Sequence, residues 1–600
     1  MAVRTYVVTR FTALTIGLFI PLVKSACVPN IPEKLLWDPE VLKHPAVTSA
    51  FQAVEESLSS LFVNTTRDGL SFAIVHASSP EKAFAFNNGT LKNNETYLEP
   101  EQNSVTSDSI FRIASVSKNF ATFSALLVEN LSKSRDVDLE LTLDTQVRHL
   151  LPLFSLPQKD WEDGGREITL RMCASHTSGL PREGYSTDFN MVAGTGRANV
   201  ETIGEDWAGA TPQKVLETVK NVGLMFAPGQ AAGYSNAGLS ILASAVVNYY
   251  NNLTSSNMTW SQLATKEIFT SLNMTHSFFG NIPEQLLPYT GVPGGPNFAD
   301  LVVGEGYNPA AGMWSSANDL SKYLYQIWLK PSPSSLITIS QRRRSLAPTI
   351  ALPDGKQLTG PGWEIDLFNV PTSNTSIAVN KTYATYGKSG DGGGWHAWVD
   401  VVPNLGYGLV VLSQHSGLKG YSRIVPTAVK TTAQKILIPA FAKALSSRVK
   451  ERFAGNYTNG RDSGLIQDEV IANGTNTATY ARIEVEEQIM YLRELVINGT
   501  SALEGLDRLD WTSDYQSRLF STEAGVALTP AEGASETAHF GEGAQVWRIL
   551  IPGLEVCDWF DFDGYKDQNG WPLSKVVSVE KDRGVELHYP PYDVVLSRVG

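Results

Sequence analysis

Cysteine is nearly missing from this 600-residue chain: Cys27, Cys173 and Cys557 are the whole complement. Three thiols close at most one intrachain bridge and cannot furnish a zinc-finger ligand set, so disulfide-rich and zinc-finger scaffolds are both excluded. Positive charge is short as well. Lys and Arg number 48 against 61 Asp and Glu, a formal net charge of -13, and an acidic surface repels nucleic acid and anionic lipid at long range. Beyond the first 25 residues no uncharged apolar run is long enough to cross a bilayer. What is present is globular: 42% hydrophobic and 18% charged residues can bury a core. The length exceeds one ordinary core and points to two or three domains.

The N-terminus reads as a secretory signal. Arg4 and Arg10 supply positive charge, Phe11 to Val23 is an uncharged and mostly apolar run, and cleavage after Ser25 fits best. An anchored N-terminus is the alternative, but the run is short for a membrane span of about 20 residues. Export is supported by glycosylation sequons at Asn64, Asn88, Asn94, Asn130, Asn252, Asn257, Asn273, Asn374, Asn380, Asn456, Asn473 and Asn498. The expected mature chain is therefore a secreted, soluble eukaryotic glycoprotein. Cys173 lies in the mostly apolar segment Leu170 to Leu180, the ordinary setting of a buried free thiol, which leaves Cys27 and Cys557 as the expected disulfide pair.

Along the chain, Pro45 to Phe62 has apolar residues at helical spacing, and Leu70 to His76 and Lys82 to Phe86 read as strands. Val116, Phe120, Phe123, Leu126 and Leu127 recur at three- and four-residue steps, predicting a core-facing helix that Ser115 opens. The long middle, with Ile168 to Leu180 and Gly238 to Tyr250, reads as mostly helical. Thr385 to Gly390, Trp395 to Val402 and Gly406 to Ser413 form a meander of short strands, closed by a helix from Arg423 to about Val449. From residue 450 onward, short alternating strands such as Thr477 to Val485, Gln488 to Ile497 and Gln545 to Ile551 predict a smaller β-rich domain.

Chemistry concentrates at Phe111-Arg-Ile-Ala-Ser115-Val-Ser-Lys118. A serine and a lysine three residues apart share one helical face. Serine needs a base to be a nucleophile, and a neutral lysine amine beside it can take the proton as the oxygen attacks a carbonyl. That role requires burial or a neighbouring cation to lower the lysine from its usual pKa of about 10.4. The spacing alone is weak, and Ser79-Pro-Glu-Lys82 matches it too. Ser115, however, opens an amphipathic helix, where free backbone N–H groups and the helix dipole favour an anion, whereas Pro80 sits in a turn between strands.

With these residues the chain resembles the serine β-lactamases and penicillin-binding proteins, particularly the class C enzymes and the related esterases, D-aminopeptidases and fungal acyltransferases. Tyr234-Ser-Asn236 matches that family's Tyr-x-Asn element, and Lys388-Ser389-Gly390 its Lys-Thr-Gly strand, with Ser389 keeping the hydroxyl of the commoner Thr. His415-Ser-Gly417 is a rival match for the strand but follows the last strand of the meander. Leu170 to Pro181 and Ala310 to Ser316 resemble further landmarks. The resemblance covers roughly Leu70 to Val449. It implies an α/β (α+β) β-lactamase/transpeptidase-like domain over 26–449, an antiparallel sheet flanked by helices with a helical subdomain, followed by the β-rich domain of 450–600.

The resemblance also implies roles. Ser115 is the nucleophile, Lys118 its base and Tyr234 the proton relay, a phenol held between two ammonium groups. Asn236 orients Lys118 and the acyl carbonyl, Lys388 and Ser389 line the substrate, and Gly390 leaves room for it. The N–H groups of Ser115 and Asp391 form the oxyanion hole. Trp314 lines the pocket or fills the core, and His176 caps and turns the chain. No metal or organic cofactor is implied. The implied partner is a small-molecule acyl substrate, an ester, lactone or small amide; by analogy with similar fungal proteins it is a natural-product metabolite. β-Lactamase or D-amino-acid peptidase activity is an alternative. So is a noncatalytic metabolite- or carbohydrate-binding protein on the same fold.

Overall fold

The structure, a computed structural model, describes residues 28, 30–62, 67–93, 99, 101–135, 137–156, 167–183, 207–294, 301–331, 336–371, 380–417, 419, 423–459, 478–486, 488–506, 525–531, 538–550, 564–582 and 584–599. Cys27, Cys557 and the signal segment lie outside the described residues, as do Asn64, Asn94, Asn374 and Asn473.

An antiparallel eight-stranded sheet organises the first part of the chain. Its strands are β1 (Gly69–His76), β2 (Ser79–Asn88), β5 (Ile350–Ala351), β6 (Gln357–Gly360), β7 (Trp363–Pro371), β8 (Asn380–Gly392), β9 (Trp395–Val402) and β10 (Tyr407–Gln414), in the order β2-β1-β10-β9-β8-β7-β6-β5. The short strands β3 (Ile110–Arg112) and β4 (Trp314–Ser316) pair separately. β1 is buried along its whole length, so its two faces are both apolar and serve different layers. Phe72 and Ile74 join one buried cluster with Val54, Leu58, Phe441 and Leu445, while Ala73 and Val75 join another with Phe120, Leu126 and Leu242. This is the period-two alternation of a strand sandwiched between two helical layers.

The first layer is α1 (Pro45–Ser60) and the long α5 (Pro426–Phe453); the second holds α2 (Ser117–Ser132) and α4 (Asn236–Thr254), with the one-turn α3 (Leu170–Ala174) nearby. α2 is buried at nearly every position from Ser117 to Glu129, as expected of a helix through the middle of a lobe rather than over its surface. The sequence expectation of a mostly helical middle is corrected at residues 350–371, which form β5, β6 and β7. Their runs are short and carry Glu364 and Asp366 among apolar residues. Only the pairing of β7 with β8, from Pro371 opposite Asn380 to Glu364 opposite Gly387, completes the strand pattern.

The last part builds a second antiparallel sheet from β11 (Gly455–Thr458), β12 (Tyr480–Glu486), β13 (Ile489–Ile497), β14 (Thr500–Ser501), β15 (Val526–Ala531), β16 (Ala544–Ile549), β17 (Lys575–Lys581), β18 (Gly584–Tyr589) and β19 (Val594–Val599). The order β12-β11-β19-β18-β17-β16-β15-β13 closes on itself through β12–β13 pairing, and β14 adds to β13. Closure removes the exposed edges that an open sheet of this size would carry. α5 joins the two sheets: Phe441, Ala444 and Phe453 belong to the same buried cluster as Tyr457, Met490 and Trp547. Among the described residues no helix is long and apolar enough to cross a membrane.

Candidate active site

The turn before α2 is locked from behind. Ile113 N–H donates to the Met313 carbonyl, Ser117 Oγ donates to the Ala114 carbonyl and accepts from Met313 N–H. Ala114 is held at φ 44°, a left-handed conformation that a residue with a Cβ adopts only where its surroundings impose it. The result is a 3-10 turn, Ala114–Val116, that presents Ser115 two residues before α2 begins. Ser115 therefore precedes the helix proper rather than opening it. From Phe111 to Phe120 every residue is buried except Ser115.

Two groups converge on its hydroxyl. Lys118 Nζ lies 2.9 Å from Ser115 Oγ and also donates to the Ala310 carbonyl at 2.7 Å. Tyr234 donates its hydroxyl to Ser115 Oγ at 2.7 Å. Tyr234 stands just ahead of α4, whose N-cap Ser235 accepts from Gly238 N–H and donates to the Pro181 carbonyl, so the Tyr-Ser-Asn spacing places phenol, cap and amide in successive positions at one helix start. His176, at φ 61°, stacks on the Tyr234 ring at 4.5 Å and accepts Ser235 N–H on Nδ1. It turns the chain and also supports the phenol from one side.

Lys388 completes the cluster from β8. β7 pairs with β8 only as far as Glu364 and Gly387, so from Lys388 to Gly392 β8 keeps β9 on one side and offers its other edge to the nucleophile turn. A Cβ on Gly390 would stand 2.0 Å from the Ile113 carbonyl oxygen and 3.2 Å from Ser115 N. Glycine is required there because two backbones meet. Lys388 Nζ and Lys118 Nζ lie 5.2 and 4.8 Å from the Tyr234 ring centre. Asp391 is exposed and its carboxylate meets His396 Nδ1 at 2.6 Å.

The electrostatics follow from this packing. Burial, reinforced by the Lys388 charge, lowers Lys118 below the usual lysine range, against the pull of Tyr234 and Glu183. Burial pushes Tyr234 up, but the two ammonium groups and the bonds to Lys118 and Ser115 outweigh it and bring the phenol down to about 8. Burial would lower Lys388, yet Glu364 and Tyr234 hold it above the ordinary value. The two buried lysines are thus biased in opposite directions, Lys118 towards the neutral form and Lys388 towards the charged one.

One expectation is corrected and one open alternative is decided. Asn236 does not reach Lys118: its Nδ2 donates to Glu183, and the Ala310 carbonyl orients the lysine. Trp314 is 1% exposed, packed between Phe278 and Trp395 with the Arg112 guanidinium 4.3 Å from its ring, and is a core residue. Sequence reading missed Glu364, which accepts from Lys388 Nζ, Ser389 N–H and Ser389 Oγ, and Glu183. The alternation of Trp363-Glu-Ile-Asp-Leu was the available signal for the former; nothing local marked the latter. Of the rival matches, Lys82 bonds Asn318 and Ser79 Oγ accepts Glu81 N–H, away from this cluster, and His415 follows β10. Cys173 is buried and free.

The β-lactamase family model matches residues 63–434, more than half of the chain. Beta-lactamase-like protein 2 of Dictyostelium discoideum is 24% identical over 453 residues, spanning 67% of this chain and 74% of that protein. The D-alanyl-D-alanine-carboxypeptidase/endopeptidase AmpH of Escherichia coli (strain K12) is 24% identical over 331 residues, 53% of this chain and 74% of that one. Among solved structures, the D-alanine carboxypeptidase AmpC of Burkholderia cenocepacia is 17% identical with a TM-score of 0.45, covering 66% of this chain and 99% of that chain. The match along the sheet, the nucleophile turn and α4 places this chain in the β-lactamase family, among the serine hydrolases of the β-lactamase and penicillin-binding type.

Proposed function

We propose that the protein is a secreted serine hydrolase or acyltransferase that takes the acyl group of an ester, lactone or small amide onto Ser115. The observation that carries this reading is the Ser115 hydroxyl held between Lys118 Nζ and Tyr234 OH at 2.9 and 2.7 Å. Once that amine–phenol pair, both lowered from their ordinary values, has given up one proton, it is an acceptor within reach of the serine hydroxyl.

In the proposed cycle Ser115 Oγ attacks the substrate carbonyl while its proton passes to the Lys118–Tyr234 pair. The developing oxyanion sits between the N–H groups of Ser115 and Asp391, against the β8 edge. Tyr234 returns the proton to the departing alcohol or amine as the bond to the carbonyl carbon breaks. Water or another nucleophile then attacks the acyl-serine, gives its proton to the same pair, and releases Ser115. Lys388, held towards its charged form, stabilises the phenolate whenever Tyr234 has passed its proton on. The chemistry is carried by the chain's own groups acting on a small-molecule acyl partner.

The test is fluorophosphonate labelling and p-nitrophenyl ester turnover of the wild type beside Ser115→Ala and Ser79→Ala, with the adduct mapped by mass spectrometry. Labelling that survives loss of Ser115 removes the assignment and moves a noncatalytic binding role to first place. For secretion, the support is the N-terminal signal and the sequons: Asn88, Asn252, Asn257, Asn273 and Asn498 are exposed, and Asn130 and Asn456 half-buried. Expression in a eukaryotic secretory host should give a mature N-terminus at Ala26 and a chain whose mobility shifts on deglycosylation; an uncleaved, unglycosylated product overturns it. β-Lactamase or D-amino-acid peptidase activity is the second reading, suggested by the AmpH relative.

A further inference from the structure

Between the catalytic strand and α5 lies a charged cluster that the proposed cycle does not use. β8 loses its β7 neighbour after Gly387, so from Lys388 to Gly392 it is held by β9. Whatever seats Gly387 therefore seats the edge that follows. Gly387 pairs with Asp400 of β9, and a Cβ on it would stand 2.0 Å from Asp400 Oδ1 and 2.8 Å from Trp398 Nε1. The carboxylate lies against the strand backbone itself, a close approach that calls for glycine.

Asp400 is fully buried. Its Oδ1 accepts from Trp398 Nε1 at 2.7 Å and its Oδ2 from Gln434 Nε2 at 2.9 Å, with Lys430 Nζ 3.9 Å away. Lys430, also buried, bonds Asp366 of β7 and lies 4.3 Å from the ring centre of Trp398 and 5.1 Å from that of Phe368. Gln434 accepts from the Tyr407 hydroxyl. Two side chains of α5 thus reach β7, β9 and β10 around Gly387. Burial pushes the Asp400 carboxyl up, and Lys430, Trp398 and Gln434 pull it back. Burying two carboxylates and one ammonium costs desolvation that apolar packing of helix on sheet would not. What the cluster provides is direction, because hydrogen bonds fix distance and angle where apolar faces can slide.

We infer that Asp400 is a positioning residue for the reaction: anchored to α5 by Gln434 and Lys430, it sets the height of β8 at Gly387, and through it the reach of Lys388 to Tyr234 and the seat of Gly390 on the nucleophile turn. This rests on the serine-hydrolase reading and adds to it a group that never touches the substrate. The link is one residue long. Lys388 follows Gly387, with its Nζ 5.2 Å from the Tyr234 ring centre, and helps bring that phenol down. The charged and titratable groups around the phenol are Lys118, Lys388, Arg182 and His176, with Glu183 beside Arg182. Of these, Lys388 rides on β8, so the titration of Tyr234 reports where β8 sits.

The experiment measures p-nitrophenyl ester kinetics against pH on the full-length protein and on Asp400→Ala, Gly387→Ala and the double variant, with thermal unfolding as the control for folding. Each single substitution should lower kcat by about tenfold or more, since misplacing a reacting group by about 1 Å costs up to 10²-fold, and leave KM within about twofold. Each should also raise the inflection that wild type shows near 8 by about half a unit or more, because a displaced Lys388 no longer favours the phenolate. The double variant should recover kcat at least about threefold over Gly387→Ala, the new methyl taking the space that the carboxylate leaves. An inflection unmoved from wild type in a folded Asp400→Ala overturns the inference, and so does a double variant no faster than Gly387→Ala. Should Asp400→Ala not fold, Asp400→Asn keeps the shape and loses one acceptor for Trp398 or Gln434; a raised inflection there supports the inference and an unmoved one overturns it. Fluorophosphonate labelling of Ser115 separates the two levels. A labelled wild type whose inflection ignores Asp400 defeats the positioning role alone, and no labelling with no turnover defeats the hydrolase reading beneath it.

Discussion

The chain holds two Ser-x-x-Lys tetrads, and the structure gives them different lives. Ser79 and Lys82 lie on β2, where three residues of extended chain span about 10 Å; Ser79 Oγ accepts Glu81 N–H and Lys82 bonds Asn318. Ser115 and Lys118 lie across the start of a helix, where three residues bring side chains within about 6 Å, and their side chains meet at 2.9 Å. Burial lowers both lysines. A depressed lysine is therefore not in itself a catalytic base. The serine must be within reach, a second group must receive or relay the proton, and a backbone edge must face the carbonyl oxygen.

The sharpest way to break this comparison is to delete each serine. Ser115→Ala should lower ester turnover by at least about 10⁴-fold, the scale seen when a nucleophile is removed, while Ser79→Ala should leave it within about twofold, since its lost bond to Glu81 N–H is exposed. Both should be read by kcat/KM with thermal unfolding as the control for folding. Equal effects would dissolve the distinction.

Deleting the lysines comes next. Lys118→Met retains volume in a fully buried position and removes the base, for an expected loss of about 10³-fold in the acylation rate. Lys82→Met should cost no more than about 1 kcal/mol of stability through its bond to Asn318 and leave acylation unchanged. Single-turnover labelling measures the first and chemical denaturation the second; a Lys118→Met enzyme that acylates at the wild-type rate would remove lysine from the chemistry.

Much of this contrast was readable before any coordinates. The apolar spacing after Ser115 set that tetrad at a helix start, and Tyr234 and Lys388 followed in the order that the resemblance requires. The motifs are legible because each is a local segment whose chemistry and backbone form are set together: Ser235 caps the helix that Asn236 begins, and Gly390 lets β8 touch the nucleophile turn. Partners supplied by distant backbone were not. The Ala310 carbonyl that orients Lys118 carries no side-chain signature, and the task was wrongly given to Asn236. Glu364 sits on a strand that declares itself only by pairing with β8, and Trp314 shows that an aromatic beside a motif is as readily core as pocket. In the β-rich tail, alternation identified strands such as β12 and β13 but not that β12 and β13 close a ring, because closure is a property of pairing rather than of any one segment.

A smaller perturbation isolates the strand edge that Ser79 lacks. Gly390→Ala places a Cβ 2.0 Å from the Ile113 carbonyl, and neither backbone can yield without moving Ser115. Displacing a reacting oxygen by about 1 Å costs on the order of 10²-fold in rate, with destabilisation of about 1–3 kcal/mol from the overlap. The expected signature is a fall in kcat with the Lys118–Ser115 chemistry intact, so that fluorophosphonate still labels, slowly. Full activity in Gly390→Ala would show that β8 does not bear on the nucleophile turn in solution.

The least effect, and the one most specific to the second group, is the pH dependence. The Lys118–Tyr234 pair can take the Ser115 proton only after giving one up, and Tyr234 is brought down to about 8. Because the competent form is the deprotonated one, kcat/KM for a neutral ester should climb about tenfold per pH unit below that value and level off above it. Tyr234→Phe should abolish the inflection while lowering the plateau, because the ring and its stacking on His176 remain and only the titrating oxygen is lost. Lys82→Met should retain the inflection unchanged, although Lys82 is also lowered by burial, since its amine has no serine to serve. An inflection near 8 that persists in Tyr234→Phe would transfer the titration to Lys118 alone and reduce the tyrosine to a hydrogen-bond donor.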